Sequence, residues 1–144
     1  MHDTIDSLPF DNRFTRELPA DPDVTNAQRQ VIGACCSRVT PKCFAKPLYV
    51  AHSPEVASDL GLSEAACRDQ SFAEVLAGNR VLADMDPHAM CYGGHQFGNW
   101  AGQLGDGRAI NLGGVVTPGG EPQMLQLKGA GPTPYSRTDR RQAA

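Results

Sequence analysis

Two segments of the chain combine glycine-rich backbone with a fixed positive charge: Gly105-Asp106-Gly107-Arg108 and Gln126-Leu127-Lys128-Gly129-Ala130-Gly131. A glycine turn can aim backbone N–H groups at an anion, and a lysine at the end of a strand supplies a point charge to the same oxygens. Together they read as a candidate phosphate cradle formed by Gly105, Gly107, Arg108 and Lys128. Taken singly, each segment favours an ordinary turn or a solvated charge, and only their convergence across a hairpin brings the two readings level. Neither standard nucleotide fingerprint is met. Ile110 stands where Gly-x-Gly-x-x-Gly requires its third glycine, and no Walker loop precedes Lys128.

The two segments must be brought together by the elements between them. Residues 108–116 place Ile110 and Leu112 on one parity, Thr117-Pro-Gly-Gly-Glu-Pro122 supplies a turn, and residues 123–128 resume alternation with Leu125 and Leu127 on one face. This predicts an antiparallel hairpin in which facing residue numbers sum to about 239, give or take two, setting Lys128 beside residues 108–110. Strand parity puts Lys128 on the face opposite Leu125 and Leu127, so the charge points away from the packed side.

Other chemistry-bearing residues carry less. Tyr92-Gly-Gly-His-Gln-Phe-Gly-Asn-Trp100 predicts a tight loop whose backbone closely approaches a ligand or another strand. Its His95 has no serine or cysteine partner at nucleophile spacing, which favours a structural residue over a base. Five cysteines, an odd number without a Cys-x-x-Cys pair, argue against a disulfide framework and read as reduced, mostly buried thiols. A zinc set from Cys35, Cys43 and His52 is conceivable, but its irregular spacing argues against it.

A length of 144 residues suits a single domain, and a net charge of −3 with 6% aromatic residues gives no global basic signal. Lys128, Arg137, Arg140 and Arg141 form a small basic patch that reads as a site fragment or a solvated tail, so no nucleic-acid partner is expected. The amino terminus carries acidic residues and no apolar run, and nowhere do eighteen apolar residues occur together, so no leader and no membrane partner are expected and the chain reads as cytoplasmic.

Scaffold signals are local. Residues 9–22, rich in proline and acid, are expected to wrap a surface, residues 28–39 to form a short apolar element, and Pro47-Leu-Tyr-Val-Ala51 to form a strand. Ser53-Pro54-Glu55 starts one helix that Gly61 stops. Ser71 with Glu74 makes a capping box for a second, closed by Gly78. The fold class is therefore α+β, an antiparallel sheet with short flanking helices. The domain reading is one partial domain over 1–144: an extended segment over 1–50, short helices over 51–83, the glycine loop, hairpin and lysine strand over 84–137, and a divergent tail over 138–144.

Phe10-Asp-Asn12, Ser53-Pro-Glu-Val56, the run from Cys91 to Gly113 and Leu125-Gln-Leu-Lys-Gly-Ala-Gly-Pro-Thr-Pro-Tyr-Ser-Arg137 resemble the amino-terminal part of the selenoprotein O family of pseudokinase-fold protein adenylyltransferases. The resemblance implies the amino-terminal lobe of a protein-kinase-like fold and transfer of AMP from ATP to protein hydroxyls with Mg2+ or Mn2+. It implies that Gly105, Gly107 and Arg108 contact the nucleotide phosphates and that Lys128 is the kinase-like strand lysine. The family's Asp-Gly-Arg segment after Arg137 is replaced here by Thr138-Asp-Arg-Arg-Gln-Ala-Ala144, so Asp139 takes no carried-over role. The family's catalytic aspartate and metal ligands have no counterpart, so ATP-binding without catalysis is expected. Protein substrates are the family's partners, and the oligomeric state stays open. The alternatives are a non-catalytic binding module and a non-functional remnant.

Overall fold

Side-chain caps set the starts of three of the four α-helices in residues 1–137, the part of the chain that the computed structural model describes. The divergent tail over 138–144 lies outside these described residues. The helices are α1 (Arg13–Glu17), α2 (Pro54–Asp59), α3 (Glu64–Arg68) and α4 (Gln70–Leu76). Ser53 Oγ accepts the Val56 N–H at 3.3 Å and Pro54 opens α2, as the sequence predicts. The second predicted helix begins one residue earlier than its capping box. Asp69 accepts the Ser71 N–H at 2.8 Å, so Asp69 is the cap and Ser71 lies in the first turn of α4. The sequence reading missed α3, although Ser63 caps it in the same way, accepting the Ala66 N–H at 3.1 Å.

The strands are β1 (Ala20–Asp21), β2 (Cys36–Arg38), β3 (His88–Met90), β4 (Gly93–Gln96), β5 (Asn99–Gln103), β6 (Ala109–Val116) and β7 (Pro122–Lys128). Five of them form one sheet in the order β1-β2-β3-β6-β7, parallel at β1–β2 and antiparallel elsewhere, while β4 and β5 pair as a separate hairpin. The chain is thus α+β with a mostly antiparallel sheet.

The predicted β6–β7 hairpin forms in the predicted register. Ala109 pairs with Lys128, Ile110 with Leu127 and Asn111 with Gln126, after which the register shifts by one residue and Gly113 pairs with Leu125. That shift leaves Leu112 as the extra residue of a β-bulge, an irregularity that the simple parity of Ile110 and Leu112 did not foresee. Beyond the bulge the amino-terminal stretch becomes the neighbour of β6. The Asp11 N–H donates to the Gly114 carbonyl at 2.8 Å and the Val116 N–H to the Pro9 carbonyl at 3.0 Å. Gly113 is required there, since a Cβ would stand 2.6 Å from Asn12 Oδ1.

Two expectations are corrected. Residues 47–51 form no strand, and Leu48 and Val50 are exposed, because β-forming residues without a pairing partner do not make one. The thiols are less uniformly buried than expected: Cys36 and Cys67 are buried, Cys35 and Cys91 half-buried, and Cys43 exposed.

The core gathers Ile5, Leu8, Leu62, Phe72, Val75, Ile110 and Leu127, packing the helices onto one face of the sheet. Register puts a polar row on the other face, where Arg38 pairs with His88, His88 with Asn111 and Asn111 with Gln126. The ring of Phe14, from α1, stacks on His88 at 5.4 Å between centroids and covers part of that row. Among the described residues no helix is long and apolar enough to cross a membrane.

Candidate functional site

Lys128 is the last residue of β7, and its pairing with Ala109 brings it to the start of β6, immediately after the Gly105–Arg108 turn. The Gly129 N–H donates to the Arg108 carbonyl at 2.7 Å, tying the two segments at their ends. Lys128 is exposed while Leu127 beside it is buried, the orientation that strand parity requires. Arg108 is exposed as well. Neither cation forms an ion pair among the described residues, whereas Arg13, Arg16, Arg29, Arg38, Arg68 and Arg80 all do.

The turn itself is held from two sides by residues that the sequence reading did not single out. Asp106 Oδ2 accepts both the Met90 N–H and Asn111 Nδ2 at 3.0 Å. The Asp106 carbonyl accepts Thr133 Oγ1 at 2.7 Å, and the Gly107 carbonyl accepts Ser136 Oγ at 2.7 Å. Tyr135 packs under Gly105 and its hydroxyl bonds Ser37 Oγ at 2.8 Å; burial pushes that phenol well above its usual range. Two turn N–H groups are engaged internally, Asp106 with the Met90 carbonyl at 2.9 Å and Gly107 with the Gly105 carbonyl at 3.0 Å. The groups left facing outward here are thus the side chains of Arg108 and Lys128. The one signal that could have found this arrangement is an acceptor, Asp106, set between two glycines and followed by the buried Asn111.

Along the polar row, Arg38 and Asp86 form a two-pronged pair at 2.9 and 3.1 Å. Partial burial works to raise the Asp86 carboxyl, but its hydrogen bonds to the Arg38 guanidinium and the Thr15 hydroxyl, with the charge of Arg38, together hold it below the usual range. His88 Nδ1 donates to the Asp86 carbonyl at 2.8 Å, which fixes the tautomer and leaves Nε2 buried with no partner among the described residues. Burial lowers the pKa of this imidazole.

The remaining sequence candidates separate from this centre. The predicted loop over 92–100 is the β4–β5 hairpin, with Phe97 and Gly98, both at positive φ, as its turn. The close approach is to an indole: a Cβ on Gly93 would stand 2.7 Å from Trp100 Cη2. His95 lies edge-on to Trp100 at 5.1 Å. No three His, Cys, Asp or Glu side chains gather as a metal site among the described residues, the Cys35, Cys43 and His52 set included. Of the basic patch, Arg140 and Arg141 lie outside the described residues.

Comparison with known proteins places these elements in context. The family described as protein adenylyltransferase SelO matches residues 23–142. The chain is similar to the protein nucleotidyltransferase YdiU of Azoarcus sp. (strain BH72), at 63% identity over 130 residues covering 90% of this chain and 25% of that protein. It is 58% identical to the YdiU of Methylobacillus flagellatus over 90% of this chain and 25% of that protein. With the YdiU of Rhodopirellula baltica it shares 61% identity over 91% of this chain and 24% of that protein. The chain therefore spans about a quarter of the length of these curated relatives. An α+β lysine-strand hairpin joined to a braced glycine turn, together with a family match over most of its residues, makes this chain a member of the SelO family.

Proposed function

We propose that this chain provides the ATP-binding portion of a protein adenylyltransferase, shaped as part of the amino-terminal lobe of a kinase-like fold. The observation that carries the reading is Lys128, exposed and without an ion-pair partner among the described residues, paired with Ala109 beside the Gly105–Arg108 turn. In this reading Lys128 and Arg108 hold polyphosphate oxygens electrostatically, with Gly105 and Gly107 shaping the turn packed against Tyr135 that leads the phosphates to Arg108, and no proton is transferred by any of them. A lysine ammonium is a point charge suited to phosphate, and an arginine fork adds direction.

ATP and a divalent ion, Mg2+ or Mn2+, are the cofactors of this proposal, and hydroxyl groups of protein side chains the acceptors of AMP. The metal ligands and the transfer residues are assigned to the parts of the family's proteins outside the matched quarter, since no gathered metal-ligand set occurs among the described residues. Residues 1–144 alone are then expected to bind ATP weakly and to transfer nothing, because one wall of a cleft cannot close over a nucleotide or neutralise its charge.

Titration of the purified chain with MgATP by calorimetry tests the reading: Lys128→Ala weakens binding at least about tenfold, as expected for loss of a charge-assisted contact. Equal affinity in wild type and variant overturns it.

A second reading, a non-catalytic binding module, draws on Tyr92, Phe97 and Trp100, which stand exposed on the β4–β5 hairpin and its approach. A Trp100 fluorescence response to a single-stranded oligonucleotide but not to ATP favours this reading over the first.

A further inference from the structure

Asn111 is fully buried on the sheet face that carries Lys128, and its amide is used at both ends. Nδ2 donates to Asp106 Oδ2 at 3.0 Å, with the His88 carbonyl at 3.3 Å, while Oδ1 accepts Gln126 Nε2 at 2.8 Å. The direction of this chain is forced. The Asp106 carboxylate accepts, already holding the Met90 N–H at 3.0 Å, so the Asn111 nitrogen must face it and the Asn111 oxygen must face Gln126. Gln126 stands two residues before Lys128 on β7, on the same face and roughly 7 Å away. Ala109, opposite Lys128, presents only a methyl group.

We infer that Asn111 is a positioning residue: through its single amide it fixes the glycine turn, by way of Asp106, to the lysine strand, by way of Gln126. Without it the turn and the strand are joined at that point only by backbone pairing, which tolerates sliding and twisting of the turn relative to the lysine. With it, displacement of the turn relative to the lysine strand breaks two partly buried hydrogen bonds. The turn and the lysine strand are thereby held in one arrangement, and the ordering cost is met before the ligand arrives.

This inference rests on the proposed nucleotide reading, and its test separates the two. Asn111→Asp keeps the shape but replaces the donor with a second carboxylate against Asp106. The titratable groups around the position are Asp106 on the turn, Tyr92, whose hydroxyl bonds the Asp106 carboxyl, and His88, the pairing partner on β3, with Lys128 at the neighbouring pair. At about pH 8 the introduced carboxylate is charged and repels its neighbour; near about pH 5 its protonation, favoured by the adjacent carboxyl, restores the donor.

MgATP affinity, expressed as variant relative to wild type at each pH, is therefore expected to fall about tenfold at the higher pH and to recover to within about twofold at the lower. Asn111→Leu, which cannot donate, is expected to stay weak at both. A residue serving only to hold the fold would lower the thermal midpoint and leave the affinity of the variant at the wild-type value at every pH and temperature where the variant is fully folded. Lys128→Ala in the same series reports on the nucleotide reading itself. Wild-type affinity in Asn111→Asp at the higher pH, alongside weakened Lys128→Ala, overturns the positioning role and leaves the reading standing. Wild-type affinity in both variants, or no binding by the wild type, overturns both. Should Asn111→Asp fail to melt cooperatively, Gln126→Leu at the exposed end of the chain decides: about threefold weaker binding supports the role and unchanged binding refutes it.

Discussion

The ring of Tyr135 lies against Gly105 so closely that a Cβ there would stand 2.4 Å from Tyr135 Cγ, at a backbone φ of +78°. Gly105 thus answers two demands at once, a left-handed turn and room for an aromatic ring. Gly105→Ala should therefore lower stability by about 3 kcal/mol, combining backbone strain with overpacking, or prevent folding outright. Tyr135→Phe removes the hydroxyl's bonds to Ser37 Oγ and to the Cys91 thiol and should cost about 1–2 kcal/mol. Thermal melts of the two variants check the ranking. A Gly105→Ala chain as stable as wild type would mean that the ring does not support the turn.

This contact also shows where the sequence stops being readable. The hairpin, its register and the outward face of Lys128 followed from alternation and from one proline-glycine turn, because those signals are local. Gly105 and Gly107 were legible as a turn. Their reason was not, since Tyr135 and Ser136 reach them from about thirty positions away and no pattern of spacing announces that contact. The same holds for the bulge at Leu112, set by Asn12 and Phe10 against Gly113. The missed helix α3 is a different case, for Ser63 offered the same capping signal as Ser53. Residues 47–51 show the converse, a strand composition with no strand to join.

Arg29 clamps the segment that leads into β2. Its guanidinium donates to Asp21 Oδ2 at 3.0 and 2.7 Å and to the carbonyls of Asp23, Thr25 and Ala27 at 2.6 to 2.9 Å. Both side chains of the Arg29–Asp21 pair are largely buried. Asp21 also accepts Ser37 Oγ, the partner of Tyr135, so the clamp connects to the support under Gly105. Burial works to raise the Asp21 carboxyl, but the Arg29 and Ser37 bonds hold it below its usual range. Arg29→Ala leaves that carboxylate unpaired and is expected to cost about 3–5 kcal/mol. Arg29→Lys should recover only a small part of this, because an ammonium with three donors cannot replace the five hydrogen bonds of the guanidinium. Denaturant midpoints at neutral pH check both, and a fully restored midpoint in Arg29→Lys would show that charge alone suffices.

His88 gives the chain an acid limit. Its buried imidazole is held neutral, with Nδ1 donating to the Asp86 carbonyl and Phe14 stacked on the ring, so its folded pKa lies below the ordinary value of 6.5. The sign follows from proton counting. Below that ordinary value the unfolded chain takes up a proton that the folded chain still refuses, so stability falls as pH drops from about 6.5 toward the depressed folded pKa and is unaffected above it. His88→Gln keeps a hydrogen-bonding side chain that does not titrate, and its stability curve should lack this leg while starting from a lower plateau near neutrality. Thermal midpoints from about pH 8 down to about pH 5 distinguish the two, because the wild-type curve bends in that window and the variant's stays flat until carboxylates begin to protonate. Parallel curves would mean that His88 is protonated inside the folded chain, with its Nε2 bonded to an acceptor that stabilises the charge.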